Sequence, residues 1–483
     1  MRDWTSEGGD VSGGRAPVKE ACGVVGVVAP GRDVAHGCYD GLYALQHRGQ
    51  ESAGMAASDG RQITVVKDNG LVNHVFSENT LQALTGSLAI GHTRYSTSGS
   101  ANWTAAQPAF RSAGRAGFAL AHNGNLTNTH ELASAAGLDS RRLLSDSDLL
   151  AELIARVVEA GATLPEALHD VLRRAEGAFS LVVAEADAIH AVRDPYGFRP
   201  LCLGRLGPAE APTGWVVASE TPALDVMGAA FVREVAPGEM VTLSGARADW
   251  TRLLEPAAGP QRLCIFEFVY FARPDAYLLD HQVHSTRRRM GSLLAATAPV
   301  AADLVIGVPD SGIPAAEGYA QASSTPFGQG LVKNRYIGRT FIAPDQDQRA
   351  AGVRRKLNPL RETIAGQRLV VVDDSVVRGT TTRALVRMLR DAGAREVHLR
   401  ISSPPFRWPC YYGIDTPTRE ELLATRFDLA GMRDFVGADS LAFLSLDDLR
   451  RAVGVAEGCC DACLTGSYPA PVPVTVGASR GRW

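Results

Sequence analysis

The strongest chemical signal in the sequence is a pair of adjacent acids at the end of an apolar run. Leu369-Val370-Val371-Val372 leads into Asp373-Asp374-Ser375, and Val376-Val377-Arg378-Gly379-Thr380-Thr381-Thr382 follows. An unbroken apolar run suits a strand buried on both faces, and a Gly/Thr turn opening a helix presents N–H groups that lack intrahelical partners. Those donors, with nearby hydroxyls and the helix dipole, hold a phosphate. This assigns Ser375, Arg378, Gly379, Thr380 and Thr381 to a phosphate-binding turn. The two carboxylates suit neighbouring ribose hydroxyls or a hard cation such as Mg²⁺. Acids serving only as helix caps would not need to coincide with a strand end and a phosphate turn, which is where open α/β sheets bind ligands.

A second constellation lies in the first half. Cys22 precedes Gly23 and a β-like run, directly after a Gly-rich, weakly apolar leader. With the leader removed, the α-amine of Cys22 would serve as the base for its own thiol. Asn123 and Gly124, in His122-Asn123-Gly124-Asn125, offer a side-chain amide and a backbone N–H for an oxyanion. Arg94 suits a two-pronged pairing with a carboxylate, and Asp148, in Ser145-Asp146-Ser147-Asp148, suits an ammonium group. Each has a plain reading too: Cys22 as a small core residue, Asn123-Gly124 as a hairpin turn, Asp146 as a helix cap.

These residues need a large scaffold. The 483 residues are 45% hydrophobic and 21% charged, which implies a folded protein of more than one domain. A net charge of −3 gives no global basic field, so no nucleic-acid partner is expected. The sequence has no apolar run long enough for a membrane span and no apolar signal core, so a cytoplasmic protein without membrane contact is expected. Short β-rich runs at 24–28, 180–184 and 215–218 alternate with helical stretches at 37–46 and 146–160. After the Pro/Gly-rich joint at 255–260 the rhythm changes. Apolar strands at 303–308, 369–372 and 397–401 then alternate with helices near 286–297, 313–323 and 380–392, which predicts a parallel sheet covered on both faces. The expected division is a leader (1–21), a first domain (22–255), a second (256–455) and a C-terminal segment (456–483).

Two further segments of the second half fit an anionic substrate. Val308-Pro309-Asp310-Ser311-Gly312 follows a predicted strand, where its turn would receive pyrophosphate and Ser311 would join Asp373 and Asp374 around Mg²⁺. Lys333 and Arg339, in Lys333-Asn334-Arg335-Tyr336-Ile337-Gly338-Arg339-Thr340, suggest a mobile loop closing over a charged ligand; a solvated charge run is the alternative.

The acid-pair turn resembles the signature of type I phosphoribosyltransferases. The ordered set of Cys22, the 45–54 segment Leu-Gln-His-Arg-Gly-Gln-Glu-Ser-Ala-Gly, His92-Thr93-Arg94, His122-Asn123-Gly124 and the Ser-Asp-Ser-Asp run resembles the N-terminal-nucleophile glutamine amidotransferases. Together, from Cys22 to about Pro469, the chain resembles the amidophosphoribosyltransferases, with further matches at Phe266–Asp275, Ser402–Pro405 and Cys410–Asp415. That resemblance implies an αββα sandwich followed by a parallel α/β domain. It also implies glutamine hydrolysis at Cys22 and transfer of ammonia through a closed channel to phosphoribosyl pyrophosphate, giving 5-phosphoribosylamine, the first step of purine synthesis. It implies a Mg²⁺ ion per subunit, a homotetramer, and inhibition by purine nucleotides of the AMP, GMP, ADP and GDP type.

The same resemblance sorts the cysteines. Cys460-Asp461-Ala462-Cys463 alone would suit zinc or redox chemistry equally. With Cys264 and Cys410 at the places where cluster-bearing relatives keep theirs, it implies one [4Fe–4S] cluster per subunit in a leader-processed member. Cys459, beside Cys460, is a competing ligand candidate, and Cys38 and Cys202 read as core residues. Two rivals differ at named positions. A glucosamine-phosphate synthase would lack the Asp373-Asp374 turn. A metabolite-sensing transcriptional regulator would not need Cys22, Arg94 or Asp148 and would carry a basic DNA-binding module.

Overall fold

The computed structural model describes residues 22–95, 103–139, 143–334, 356–414, 416, 418–455 and 457–473. The leader 1–21, Arg339 with its basic segment from 335, Asp415 and the final stretch 474–483 lie outside the described residues.

Period-two alternation explains the first half. In the strand Gly177–Ala184, Phe179, Leu181 and Val183 face helices, while Val182 and Ala184 face a second sheet. In Gly23–Val28, Val25 and Val27 likewise face helices, and Val24 and Val28 face inward. Both strands are apolar on both sides because each is the middle of a stack. One sheet has seven strands, in the order Ala230–Glu234, Cys202–Leu206, Gly214–Ala218, Gly23–Val28, Leu88–Arg94, Ser52–Ser58, Ile63–Asn69. The other has six: Arg247–Arg252, Glu239–Ser244, Ile189–Arg193, Gly177–Ala184, Phe118–Leu126, Ala109–Arg111. The helices Asp146–Glu159 and Leu164–Leu172 cover the six-stranded sheet, and Ala35–Ala44 and Thr221–Val226 cover the seven-stranded one. The result is the expected αββα sandwich.

Helix starts follow local chemistry. Ser145 caps Asp146–Glu159 by accepting from Asp148 N, and Thr163 forms a capping box with Glu166 ahead of a helix with Pro165 in its first turn.

In the second half, Leu304–Gly307, Arg368–Asp373, Glu396–Ile401 and Ser440–Phe443 form a four-stranded parallel sheet in that order. Val370 and Val372 face the helices Val283–Thr297 and Ile313–Ser323, whereas Leu369 and Val371 face Thr380–Asp391 and Leu429–Val436. That double covering is why the strand reads as a continuous apolar run. Leu263–Cys264 pairs in parallel with Cys459–Cys460, tying the start of this half to its end. No helix among the described residues is long and apolar enough to cross a membrane.

Candidate functional site

The strand register brings the first constellation together. Gly23 pairs with Thr93 and Val24 with His92, so Cys22 lies beside the end of Leu88–Arg94. Its thiol is buried and stands 3.5 Å from both the N–H and the carbonyl oxygen of Tyr95. Burial pushes the thiol up, against the pull of the Tyr95 backbone, Arg94 and Arg48 and with a push from Asp146. Arg94 is buried at the strand end.

His92, neutral because burial pushes it down to about 3, hydrogen-bonds the carbonyl of His122 and so joins this strand to Phe118–Leu126. That second strand carries Asn123 and Gly124. The side-chain nitrogen of Asn123 is buried without a hydrogen-bond partner among the described residues, which suits a donor waiting for a ligand oxygen. At Gly124 a β-carbon would fall 2.0 Å from the Ala178 carbonyl oxygen, so only glycine fits. The pair belongs to a strand continuous with its neighbours and is not a hairpin turn.

The two acids of the 145–148 run are placed differently. Asp148 is engaged by Arg111 at 2.6 Å and by the Leu144 N–H, and its charge acts on Lys67. The acid whose charge reaches Cys22 is Asp146, which also accepts from Leu126 N at 3.2 Å and lies 3.7 Å from His122. Nor is Asp146 the helix cap, since Ser145 fills that position. Helical geometry is the reason: residues two apart point to different sides, so the first acid faces the strand and the second the Arg111 edge.

The second constellation sits at the end of the parallel sheet. Asp373 ends its strand and Asp374 begins the turn; burial raises both carboxyls, and the charge of Asp374 raises Asp373 further. Ser311 and Ser375 both donate to Asp374, which partly offsets its shift. A cation shared by Ser311 and the acids would therefore replace an existing hydrogen bond. Gly379, at φ +75°, turns the chain into Thr380–Asp391, leaving Thr380 and Thr381 exposed at the helix start. Arg378 donates to Glu421 at 3.0 Å. Lys333 ends the short strand Leu331–Lys333 and pairs with Asp310, so it is part of a paired strand and not of a free loop.

The third is a small cavity lined by Cys264, Cys410, Cys460 and Cys463, with Arg199, Phe198, Tyr412 and Tyr468 around them. Burial pushes Cys264 up to about 12 and Cys460 and Cys463 well above the ordinary thiol range, so an incoming metal must displace protons. Cys459 is not among the lining residues, and strand alternation turns it away from Cys460. Cys38 and Cys202 lie in the helix-facing core of the seven-stranded sheet.

Sequence reasoning missed a group that this geometry exposes. Arg48, Glu220, Glu267 and Arg199 form a buried charge network directly behind Cys22. Arg48 and Glu267 lay in segments noted for their resemblance, but nothing in the sequence signals that they meet.

A glutamine amidotransferase domain model matches residues 92–226, and a phosphoribosyl transferase domain model matches 288–402. The chain is 52% identical to an amidophosphoribosyltransferase of Mycobacterium tuberculosis, covering 94% of this chain and 87% of the relative. It is 48% identical to that of Synechococcus elongatus, covering 96% and 94%. The chain belongs to the amidophosphoribosyltransferase family. A solved glutamine phosphoribosylpyrophosphate amidotransferase from B. subtilis, in complex with ADP and GMP, superposes with a TM-score of 0.85 at 42% identity, covering 94% of this chain and 98% of that one. The two domain matches take in Arg94, Asn123 and Gly124 in the first half and Asp373, Asp374 and the 375–381 turn in the second.

Proposed function

We infer that this chain hydrolyses glutamine and transfers the ammonia to C1 of phosphoribosyl pyrophosphate, releasing pyrophosphate and 5-phosphoribosylamine in purine biosynthesis. The observation that carries this is identity of 48–52% to amidophosphoribosyltransferases over 94–96% of the chain. Cys22 attacks the side-chain amide, Asn123 and the Gly124 N–H receive the oxyanion, Arg94 holds the α-carboxylate, and Asp146 replaces Asp148 as the anchor for the α-ammonium. Asp373 and Asp374 hold the ribose hydroxyls and Mg²⁺, the 375–381 turn holds the 5-phosphate, and the Asp310-Ser311 turn with Lys333 faces pyrophosphate. A Mg²⁺ ion there would neutralise the leaving group. Removal of residues 1–21 would free the Cys22 amine as base.

The four cysteines fit a [4Fe–4S] cluster. They line one cavity, and the Arg199 guanidinium beside them would offset the charge of a thiolate-bound cluster. Such a group would staple the C-terminal segment to the second half. Inhibition by purine nucleotides is supported by ADP and GMP in the similar B. subtilis structure. A cytoplasmic homotetramer completes the reading.

The test is pyrophosphate release measured with glutamine and with ammonium. Cys22→Ala should abolish the first and leave the second; equal loss of both would refute separate sites.

A further inference from the structure

Behind the nucleophile, charged groups from both halves of the chain meet away from solvent. Arg48 donates through Nε to the carbonyl oxygen of Cys22 at 3.1 Å, and through Nη1 and Nη2 to the two oxygens of Glu267 at 2.9 and 2.7 Å. Nη1 also reaches Glu220, which is shared with His47. Arg199 touches Glu267 at 3.3 Å from the other side while holding the Tyr412 carbonyl with Nε and Nη2. The side chains of Arg48, Arg199, Glu220 and Glu267 are fully buried, so two guanidinium groups are balanced by two carboxylates.

The origins of these groups differ. Arg48, Arg199 and Glu220 belong to the first half. Glu267 stands 219 positions beyond Arg48 and opens the π-helical turn Glu267–Phe271, whose Phe268 carbonyl, with that of Ala272 just beyond, is held by the buried Arg287. π-Turns are rare and are found frequently at functional sites. A guanidinium is planar, and only a two-pronged partner fixes its plane. Glu267 is that partner, whereas Glu220 takes a single arm of Arg48. The third edge of the same plane holds the Cys22 carbonyl, so the orientation of Cys22 depends on a carboxylate supplied by the other half.

We propose that Glu267 is a positioning residue for the Cys22 nucleophile, acting through Arg48, so that the glutamine site is incomplete without the transferase half. The proposal rests on the reading of Cys22 as the nucleophile. Its consequence is specific: loosening Arg48 lets the Cys22 backbone rotate, which displaces the sulfur from its attack line without altering the groups that bind glutamine.

Glu267→Gln keeps the shape but turns one acceptor into a donor facing a guanidinium. In the full-length enzyme it should lower kcat for glutamine hydrolysis by about tenfold or more, with KM for glutamine and the ammonium-dependent rate within about twofold. The limiting rate of Cys22 alkylation by a diazoketone analogue of glutamine should fall in parallel. Arg48→Lys should do the same, and the double variant should be no worse than the poorer single one. Glu267→Asp, which keeps the charge, should fall between native and Gln and serves if Glu267→Gln does not fold. A native-like glutamine kcat in Glu267→Gln, equal losses with both nitrogen donors, or losses that multiply in the double variant would overturn the proposal. A native chain inert with both donors would instead defeat the functional reading, and the alkylation rates would still decide the role of Glu267.

Discussion

Gly124 and Gly413 meet backbone to backbone: a β-carbon on Gly413 would stand 3.0 Å from the carbonyl carbon of Gly124. One residue on, Asn125 donates to the Tyr411 carbonyl at 2.9 Å. The strand carrying the candidate oxyanion donors thus leans on the segment that begins with Cys410, one of the four cavity cysteines.

Removing the group proposed for that cavity should therefore loosen both places together. Hydrogen exchange of iron-loaded and chelator-treated protein should rise at 459–465, at 410–414 and at 123–126, with loss of glutamine use. Increased exchange confined to 459–465 would show that Cys410 does not transmit the loss.

Asp146 and Asp148 should separate cleanly. Asp146→Asn should lower kcat/KM for glutamine by roughly 10- to 100-fold, as expected for a charged hydrogen bond to substrate. Asp148→Asn breaks a partly exposed pair with Arg111, costs about 1 kcal/mol or less of stability, and should leave KM within a few-fold. The reverse ranking in steady-state kinetics would restore Asp148 to the site.

Gly379→Ala should raise KM for phosphoribosyl pyrophosphate while leaving Cys22 alkylation unchanged. Its φ of +75° disfavours alanine, and the new carbon would stand 2.8 Å from Leu423 Cδ2, so the phosphate turn must shift. A loss of roughly 1–2 kcal/mol in denaturant unfolding should accompany the kinetic change.

Asp194 sets a measurable pH dependence. Burial pushes its carboxyl up to about 6 from an ordinary 3.8, although the Phe179, Tyr196, Gly197 and Phe198 N–H groups donate to it. The native state thus binds this proton more tightly than the unfolded chain. The resulting stability is complete below about pH 4 and fades as pH rises through about 6, by an amount on the order of 2–3 kcal/mol. The stability difference between native and Asp194→Asn, followed by urea unfolding from pH 4 to 7, should shrink by that amount; a constant difference would assign the slope to other groups.

Much of this arrangement is legible before folding because some signals are local. The strand run 369–372, the helix beginning at Thr380 and the covering of both sheet faces follow from apolar periodicity and one glycine turn. The helix 146–160 likewise ends within one residue of its prediction. Side-chain direction is not local. Whether Asp146 or Asp148 faces Cys22 depends on how the helix is rolled on its sheet, and that is set by Leu149, Leu150, Leu153 and Ile154 against the six-stranded layer. The Arg48–Glu267 pair is still less visible, since it joins residues that only tertiary folding brings together. The strand Ser440–Phe443 escapes notice for another reason, being short and only partly buried at the sheet edge.

The parallel bridge between Leu263–Cys264 and Cys459–Cys460 places the opening of the second half against a segment close to the end of the described residues. During synthesis, Cys264 leaves the ribosome long before Cys460 and Cys463 exist, so no metal centre requiring all three can assemble on a nascent chain. A truncated product would lack the closing thiols and the parallel bridge to which Cys460 belongs. Completion of translation thereby precedes closure of the four-cysteine cavity.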